Sequence, residues 1–173
     1  MNKTRKLAEC GILIALAFIL SYIKIFDAPN GGSVTLASML PIVIISFRHG
    51  TKWGVLSGFV YSILQMIQGF YPPPVQSFIM FALVVLLDYI IAFSVIGFAG
   101  SFNFIKNKAV AACIGTFSVI TIRGICHIIS GTIVWQTAWA GSIAYNLGYI
   151  IPEAIITTVA AYFVFKIISK QKV

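Results

Sequence analysis

The sequence has very few charged residues, and acidic residues are the scarcest. Only four of its 173 residues are Asp or Glu and twelve are Lys or Arg, whereas 60% are hydrophobic. A water-soluble domain of this size would not tolerate this balance, so the composition predicts an integral membrane protein. The basic residues are scattered in short clusters instead of sharing one polar face, which argues against a nucleic acid partner.

The sequence also lacks the common motifs of membrane enzymes and pumps. It contains no HExxH motif, no GxSxG motif, no Walker loop and no internal repeat. Its two histidines and three cysteines, without a CxxC pair, are too few to suggest a metal centre. We therefore expect no metal, no cofactor and no catalytic residue, and active transport would need energy from another chain. An intramembrane enzyme remains the less favoured alternative, because acidic side chains and a histidine do occur inside apolar segments.

Six apolar runs are separated by short polar or Gly- and Pro-rich segments. Most are long enough to cross a hydrocarbon core of about 30 Å as a helix. The runs cover about residues 7–25, 34–48, 53–69, 76–102, 109–135 and 143–168. The sequence therefore predicts an all-α membrane protein in which residues 1–173 form a single domain with six transmembrane helices.

The basic residues near the helix ends predict the orientation of these helices. In the six-helix arrangement only Lys24 falls on one side, and ten basic residues fall on the other. These ten are Lys3, Arg5, Lys6, Arg48, Lys52, Lys106, Lys108, Lys166, Lys170 and Lys172. Because basic residues are concentrated on the cytoplasmic side of membrane proteins, both termini are predicted to be cytoplasmic.

Ionisable side chains lie inside three of the apolar runs. Asp88 lies in the fourth run and Glu153 in the sixth, while Arg123 and His127 share one helix face of the fifth. A charge at mid-bilayer costs roughly 2.5–3.5 kcal/mol on insertion scales, so such residues usually face a bundle interior or a wet cavity. Two interpretations stay open. The four residues line a pocket, or some of them neutralise one another, with Arg123 and Glu153 as the expected structural charge pair.

Aromatic residues follow the fifth apolar run. Trp135, Trp139 and Tyr145, together with Asn146, lie where one helix should leave the membrane and the next should begin. Aromatic rings attract a cation by roughly 0.5–2 kcal/mol each, so these residues favour a binding pocket near the outer face. The alternative is an interfacial aromatic belt, which most membrane proteins have.

Small residues repeat along one face of the first helix. Ala8, Gly11 and Ala15 form a small-xxx-small pattern, which lets another helix approach closely. That helix could belong to another protein or to the same chain.

Four segments together resemble one known family. They are PNGGSVTLASMLPIVIISFRHGTKWG, LLDYIIAF, RGICHIISG and YNLGYIIPEAI. Across nearly its whole length the chain resembles the thiamine-binding S components of energy-coupling factor (ECF) transporters. The resemblance implies a bacterial cell-membrane subunit that captures thiamine from outside and docks on a transmembrane T component bound to two ATP-binding-cassette (ABC) ATPases. An S component for a different vitamin, such as riboflavin or biotin, remains the alternative.

The resemblance also implies roles for individual residues. The family's acidic residue and adjacent tyrosine correspond to Asp88 and Tyr89, and its His, Trp and Asn correspond to His127, Trp135 and Asn146. The loop before the fourth helix adds two more residues, and one tyrosine of the sixth helix completes the set. The implied substrate-binding residues are Asp88, Tyr89, His127, Trp135, Tyr145, Asn146, Tyr71 and Gln76.

The chain departs from the family pattern in three places. A tyrosine of some members corresponds to Gly141, so Tyr145 is expected to substitute for it. A lid tryptophan of some members corresponds to the glycine pair at 31–32. The two alanines of the family's docking motif correspond to Gly11 and Ala15, and this change should still permit docking because glycine is smaller than alanine.

Overall fold

The computed structural model describes residues 2–170, which form six main helices and one β-hairpin. The hairpin pairs β1 (Lys24–Asp27) with β2 (Ser33–Thr35) in antiparallel fashion. Met1 and residues 171–173, with Lys172 of the orientation argument, lie outside the described residues. The helices are α1 (Lys3–Ser21), α2 (Leu40–His49), α3 (Thr51–Gln68), α4 (Phe78–Phe104), α5 (Lys108–Ile133) and α6 (Trp139–Lys170).

The prediction of a mainly helical protein with six helices is confirmed. Three segments are long and apolar enough to cross a membrane, by length and composition: α4, α5 and Trp139–Ser169 of α6. Segments of this length and composition are typical of a membrane protein.

The predicted second transmembrane helix is wrong over its first half. The helix α2 has only 10 residues, or about 15 Å at 1.5 Å per residue, which is half of a hydrocarbon core. Ala37 adopts a left-handed backbone with φ 52°, and Pro41 lies in the first turn of α2. A helix cannot run back through a left-handed residue, and proline obstructs the turn before it. The apolar residues before α2 therefore continue from the hairpin as a non-helical segment.

Most of this non-helical segment is buried, and its backbone has partners. The amide of Thr35 donates to Glu153 Oε2 at 2.5 Å, and its hydroxyl donates to Glu153 Oε1 at 2.8 Å. The amide of Leu36 donates to the carbonyl of Ile23 at 3.1 Å. Non-helical backbone at membrane depth requires such partners, because no water is present to replace them.

The expected charge pair between Arg123 and Glu153 is wrong. No ion pair joins these two side chains within the part of the chain that the structure describes. Glu153 is 1% exposed, and both of its carboxylate oxygens accept hydrogen bonds from Thr35. The acid therefore anchors the segment before α2 and forms no direct ion pair with the arginine in the described chain.

The helix α4 changes its winding along its length. It is α-helical over Phe78–Val84, π-helical over Val85–Ile91 and a 3₁₀ helix over Val95–Phe104. Asp88 and Tyr89 lie in the π-helical part. π-Helical turns are rare and are frequent at functional sites, so this irregularity singles out the two residues independently of their chemistry.

Glycines bring helices into backbone contact at one end of the bundle, which we call the closed end. It contains the end of α2, the start of α3 and the end of α4. A methyl group added to Gly54 would lie 2.6 Å from the carbonyl oxygen of Gly97. The Ser46 hydroxyl donates to the carbonyl of Gly97 and accepts from the amide of Gly100 at 2.8 Å. Nothing larger than hydrogen fits between α3 and α4 here.

The small-residue face of α1 is exposed in the described chain. Ala8, Gly11 and Ala15 are all exposed, and a methyl group added to Gly11 would meet no atom within 4 Å. The neighbouring Leu7 and Ile12 are 63% and 70% exposed. Of the two explanations for the pattern, packing within the chain is excluded for the residues that the structure describes.

Candidate functional site

A cavity of about 570 Å³ lies at the end of the bundle opposite the closed end, which we call the open end. Residues of α3, α4, α5 and α6 form its walls, and the hairpin loop at Asn30–Ser33 covers it. The cavity brings together seven of the eight residues that the family resemblance selected: Asp88, Tyr89, His127, Trp135, Tyr145, Asn146 and Tyr71. Their role in binding stays a prediction.

Gln76 does not line the cavity. It is exposed in the loop before α4, while Tyr71 of the same loop reaches the cavity wall. Tyr145, the expected substitute for the tyrosine that is missing at Gly141, lies one turn further along α6 and lines the cavity.

The carboxylate of Asp88 is held by three side chains of α5 and the loop after it. Its Oδ1 lies 2.8 Å from His127 Nδ1, and its Oδ2 accepts from Ser130 Oγ at 2.5 Å and from Trp135 Nε1 at 3.4 Å. The Asp88 side chain is 16% exposed and that of His127 is 11% exposed. These contacts fix a negative charge at the cavity wall. Nδ1 of His127 faces the carboxylate, and the other ring nitrogen, Nε2, is buried without a hydrogen-bond partner among the described residues.

Two polar residues at the site, Ser130 and Tyr149, were not predicted from the sequence. Ser130 follows His127 by three residues and Tyr149 follows Asn146 by three, so each shares a helix face with a residue that was found. The hydroxyl of Tyr149 donates to Asn146 Oδ1 at 2.5 Å, and Asn146 Nδ2 donates to the carbonyl of Ser142 at 2.9 Å. The i+3 spacing was the signal that could have identified them.

The hairpin loop lies against three tyrosines. The hydroxyl of Tyr145 donates to the carbonyl of Pro29 and accepts from the amide of Gly32 at 3.2 Å. A methyl group on Gly31 would lie 2.8 Å from the Tyr71 ring, and one on Gly32 would lie 2.5 Å from the Tyr149 ring. Gly31 also has φ 98°, which glycine adopts without strain. The two glycines therefore let the loop lie flat on tyrosine rings, at the place where some family members carry a tryptophan.

Tyr89 is partly a structural residue. Its hydroxyl donates to the carbonyl of Gly69 at 3.0 Å and accepts from the amide of Tyr71 at 3.1 Å. Its ring stacks on Phe70 with 5.6 Å between centroids. The side chain therefore fixes the loop after α3 while it contributes to the cavity wall.

Arg123 also lines the cavity, although its expected role was structural. Its guanidinium carbon lies 4.9 Å from the centroid of the Phe93 ring. Its Nε and Nη1 atoms are buried without a hydrogen-bond partner among the described residues. Asp88 and Arg123 give the cavity two opposite charges at different depths, which suits a ligand with a cation in one part and hydrogen-bond acceptors in another.

Known proteins resemble the chain along almost its full length. The chain is 31% identical to "Thiamine transporter ThiT" of Bacillus subtilis (strain 168) over 189 residues, which covers 95% of this chain and 94% of that protein. The solved structure of ThiT from Listeria monocytogenes superposes with a TM-score of 0.66 at 22% identity, covering 98% of this chain and 95% of that one. A structure titled "Structure and mechanism of the S component of a bacterial ECF transporter" superposes with a TM-score of 0.60 at 20% identity, covering 98% and 96%.

The two structural matches establish the fold, because they span almost the whole of each chain. The sequence matches the family described as "Thiamine transporter protein (Thia_YuaJ)" over residues 7–173. Together with the 31% identity to the Bacillus subtilis protein, this match shows that the chain belongs to the thiamine transporter protein family.

Proposed function

We propose that this chain is the substrate-binding S component of an energy-coupling factor transporter and that its cavity binds thiamine. Thiamine combines a permanent thiazolium cation with a flat aminopyrimidine. The observation that carries the proposal is the carboxylate of Asp88, which three donors hold among the aromatic side chains of the cavity wall. A fixed carboxylate attracts the cation, and aromatic rings pack against both rings of the ligand.

Membership of a transporter family gives the chain a role in transport and not in catalysis. The sequence contains no Walker loop, so the energy for uptake comes from other chains. We infer that a transmembrane T component and two ABC-type ATPases supply it, and that this chain captures the ligand.

The exposed face of α1 is the proposed docking surface for these partners. Gly11 and Ala15 have small side chains, and no other element of the described chain covers them. A stripe of small residues inside a membrane lets a second helix approach to backbone contact. Docking therefore needs no residue of the cavity.

The proposed location is the bacterial cell membrane, with both termini in the cytoplasm and the cavity open to the outside. The ten-to-one distribution of basic residues supports this orientation. Single cysteines, introduced after replacement of the three native ones, would test it. A membrane-impermeant reagent added outside should label positions 72–75 and 136–141 but not 104–108. The reverse pattern would refute the orientation.

Isothermal titration of the purified chain with thiamine, riboflavin and biotin tests the substrate. We expect saturable binding of thiamine and no heat from the other two vitamins. Clear binding of another vitamin, with silence for thiamine, would overturn the substrate and leave the fold and family unchanged. In liposomes the chain alone should give no thiamine flux, because uptake without ATP would instead indicate a carrier or channel.

A further inference from the structure

A groove of about 520 Å³ lies between α3 and α4 on the outer surface of the bundle. It is separate from the cavity, because the two have no lining residue in common. Its walls are mainly apolar side chains, namely Val55, Leu56 and Phe59 of α3 and Phe98 of α4. Leu56 and Phe98 are 53% and 48% exposed. Since α4 is one of the segments that can cross a membrane, the groove is open to lipid.

Two glycines one turn apart on α3 produce this groove. A methyl group on Gly54 would lie 2.6 Å from the carbonyl oxygen of Gly97, and one on Gly58 would collide with the carbonyl oxygen of Phe93. The backbones of α3 and α4 therefore touch over about one turn, as small residues allow. Larger side chains stand beside this line of contact and form the walls of the groove.

The groove has a basic end and an apolar end. Lys52 lines it from the first turn of α3, at the closed end of the bundle, while Phe59 lines it further toward the open end. The two residues are about 10 Å apart along the helix at 1.5 Å per residue. One leaflet of a hydrocarbon core is about 15 Å thick, half of about 30 Å. The groove therefore extends through much of one leaflet, with its lysine at the headgroup end.

The positive charge of Lys52 has no acidic partner in the described chain. The sequence has only four Asp and Glu side chains, and each of them contacts residues other than Lys52. The first turn of α3 contains no acidic residue, and its N-cap, Gly50, has no side chain to accept from the free amides there. The basic end of the groove therefore lacks a counter-charge from the protein and attracts an anion.

We propose that this groove is a binding site for one anionic phospholipid, with an acyl chain against its apolar walls and the phosphate at Lys52. A lysine stem lies along apolar surface while its ammonium group reaches the headgroup level. Anionic lipids are attracted to basic residues at that level. A zwitterionic lipid fills the same groove without a net charge to attract, and a free phosphate has no acyl chain to bury. The site is independent of the ligand in the cavity.

Native mass spectrometry of the purified chain tests the charge contact, with phosphatidylglycerol and phosphatidylcholine of the same acyl chains. The wild type should retain one phosphatidylglycerol with an about fivefold preference, the effect of one basic residue at an anionic surface. Lys52→Gln should lose this preference and Lys52→Arg should keep it. Lys106→Gln is the matched control, because Lys106 is an exposed lysine after the end of α4 that does not line the groove. Glycerol phosphate, the headgroup without its chains, should not bind.

A phosphatidylglycerol with a photoreactive acyl chain locates the site. In vesicles it should label residues 52–59 and 94–98 of the wild type. Equal retention of both lipids by the wild type, or labels spread over all apolar faces, would indicate ordinary lipid contact and overturn the proposal, even if no variant folded. Tight binding of glycerol phosphate would make this a site for free phosphate. Loss of the groove label in the complete transporter would show that a partner helix occupies the groove, and would also overturn the proposal.

Discussion

The two ends of the bundle use small residues and polar residues in opposite ways. At the closed end, Gly54 and Gly97 bring α3 and α4 into backbone contact, and one serine hydroxyl bridges two backbone groups. At the open end the same two helices contribute to the wall of a cavity of about 570 Å³, α3 through Gln65 and α4 through residues that include Asp88. Close packing at one end thus positions two helices that line the cavity at the other. A rigid contact and a polar cavity can share one pair of helices when they lie at different depths.

Replacing Gly97 by Leu should have the largest effect. The new side chain would have to occupy the backbone of α3 at Gly54, so we expect a loss of stability of at least about 3 kcal/mol and little folded protein. The yield of monodisperse protein in detergent measures this. Gly148→Leu is the control, because Gly148 is exposed and a methyl group added there would meet no atom within 4 Å. Equal yields from the two variants would show that the closed end does not hold the bundle together.

Replacing Gly11 or Ala15 by Leu should abolish transport and leave binding nearly intact. Both residues lie on the exposed face of α1 and neither lines the cavity, so added bulk affects only an approaching helix. Thiamine uptake by cells that carry the complete transporter, compared with titration of the purified chain, separates the two effects. Ile12→Ala, which removes bulk from a neighbouring exposed position, should transport normally. Loss of binding in Gly11→Leu would place this face inside the fold.

Replacing Asp88 by Asn should weaken thiamine binding by about 2 kcal/mol or more, because the attraction between two charges is lost while the side chain keeps its size. Asp27→Asn is the matched control, since Asp27 pairs with Lys24 on the exposed hairpin. Titration at equal ionic strength compares the two variants. If Asp88→Asn and Asp27→Asn both bound thiamine as tightly as the wild type, aromatic contacts alone would account for the affinity of the cavity.

Replacing Thr35 by Val should have the smallest effect, a loss of about 1–2 kcal/mol of stability. The change keeps the shape of the side chain but removes the hydroxyl that donates to Glu153 Oε1. The thermal unfolding midpoint in detergent measures the loss. Thr121→Val is the control, because its hydroxyl bonds only to the preceding turn of α5. If Thr121→Val lowered the unfolding midpoint as much as Thr35→Val, the hydrogen bond between Thr35 and Glu153 would add no stability of its own.

The residues that the sequence located best are those whose chemistry conflicts with their surroundings. Asp88 and His127 stand out because a polar side chain within an apolar run is expected to make an interior contact. In the structure, Asp88 Oδ1 lies 2.8 Å from His127 Nδ1. Gln76 lies outside the cavity lining, because the position of a residue within a loop does not determine where its side chain points. Arg123 and Glu153 were paired because their charges are opposite, but charge alone does not give the distance between two side chains.

The error at the second helix has a different cause. Val34 and Met39 are each 2% exposed, so the hydropathy of this segment reports burial correctly. Pro41 in the first turn of α2 was a local signal for the start of that helix. The acceptor of the Thr35 amide, Glu153, lies 118 residues further along the chain, and no local pattern contains that contact.

The hydrogen bond between Thr35 and Glu153 also has a consequence for biosynthesis. Because the acceptor lies in α6, the segment before α2 lacks its partner until nearly the whole chain has left the ribosome. A nascent chain that ends before α6 would leave the amide of Thr35 without this acceptor, and a buried donor without an acceptor is unfavourable. The segment that joins the hairpin to α2 is therefore expected to reach its final place last, after the C-terminal helix has entered the membrane.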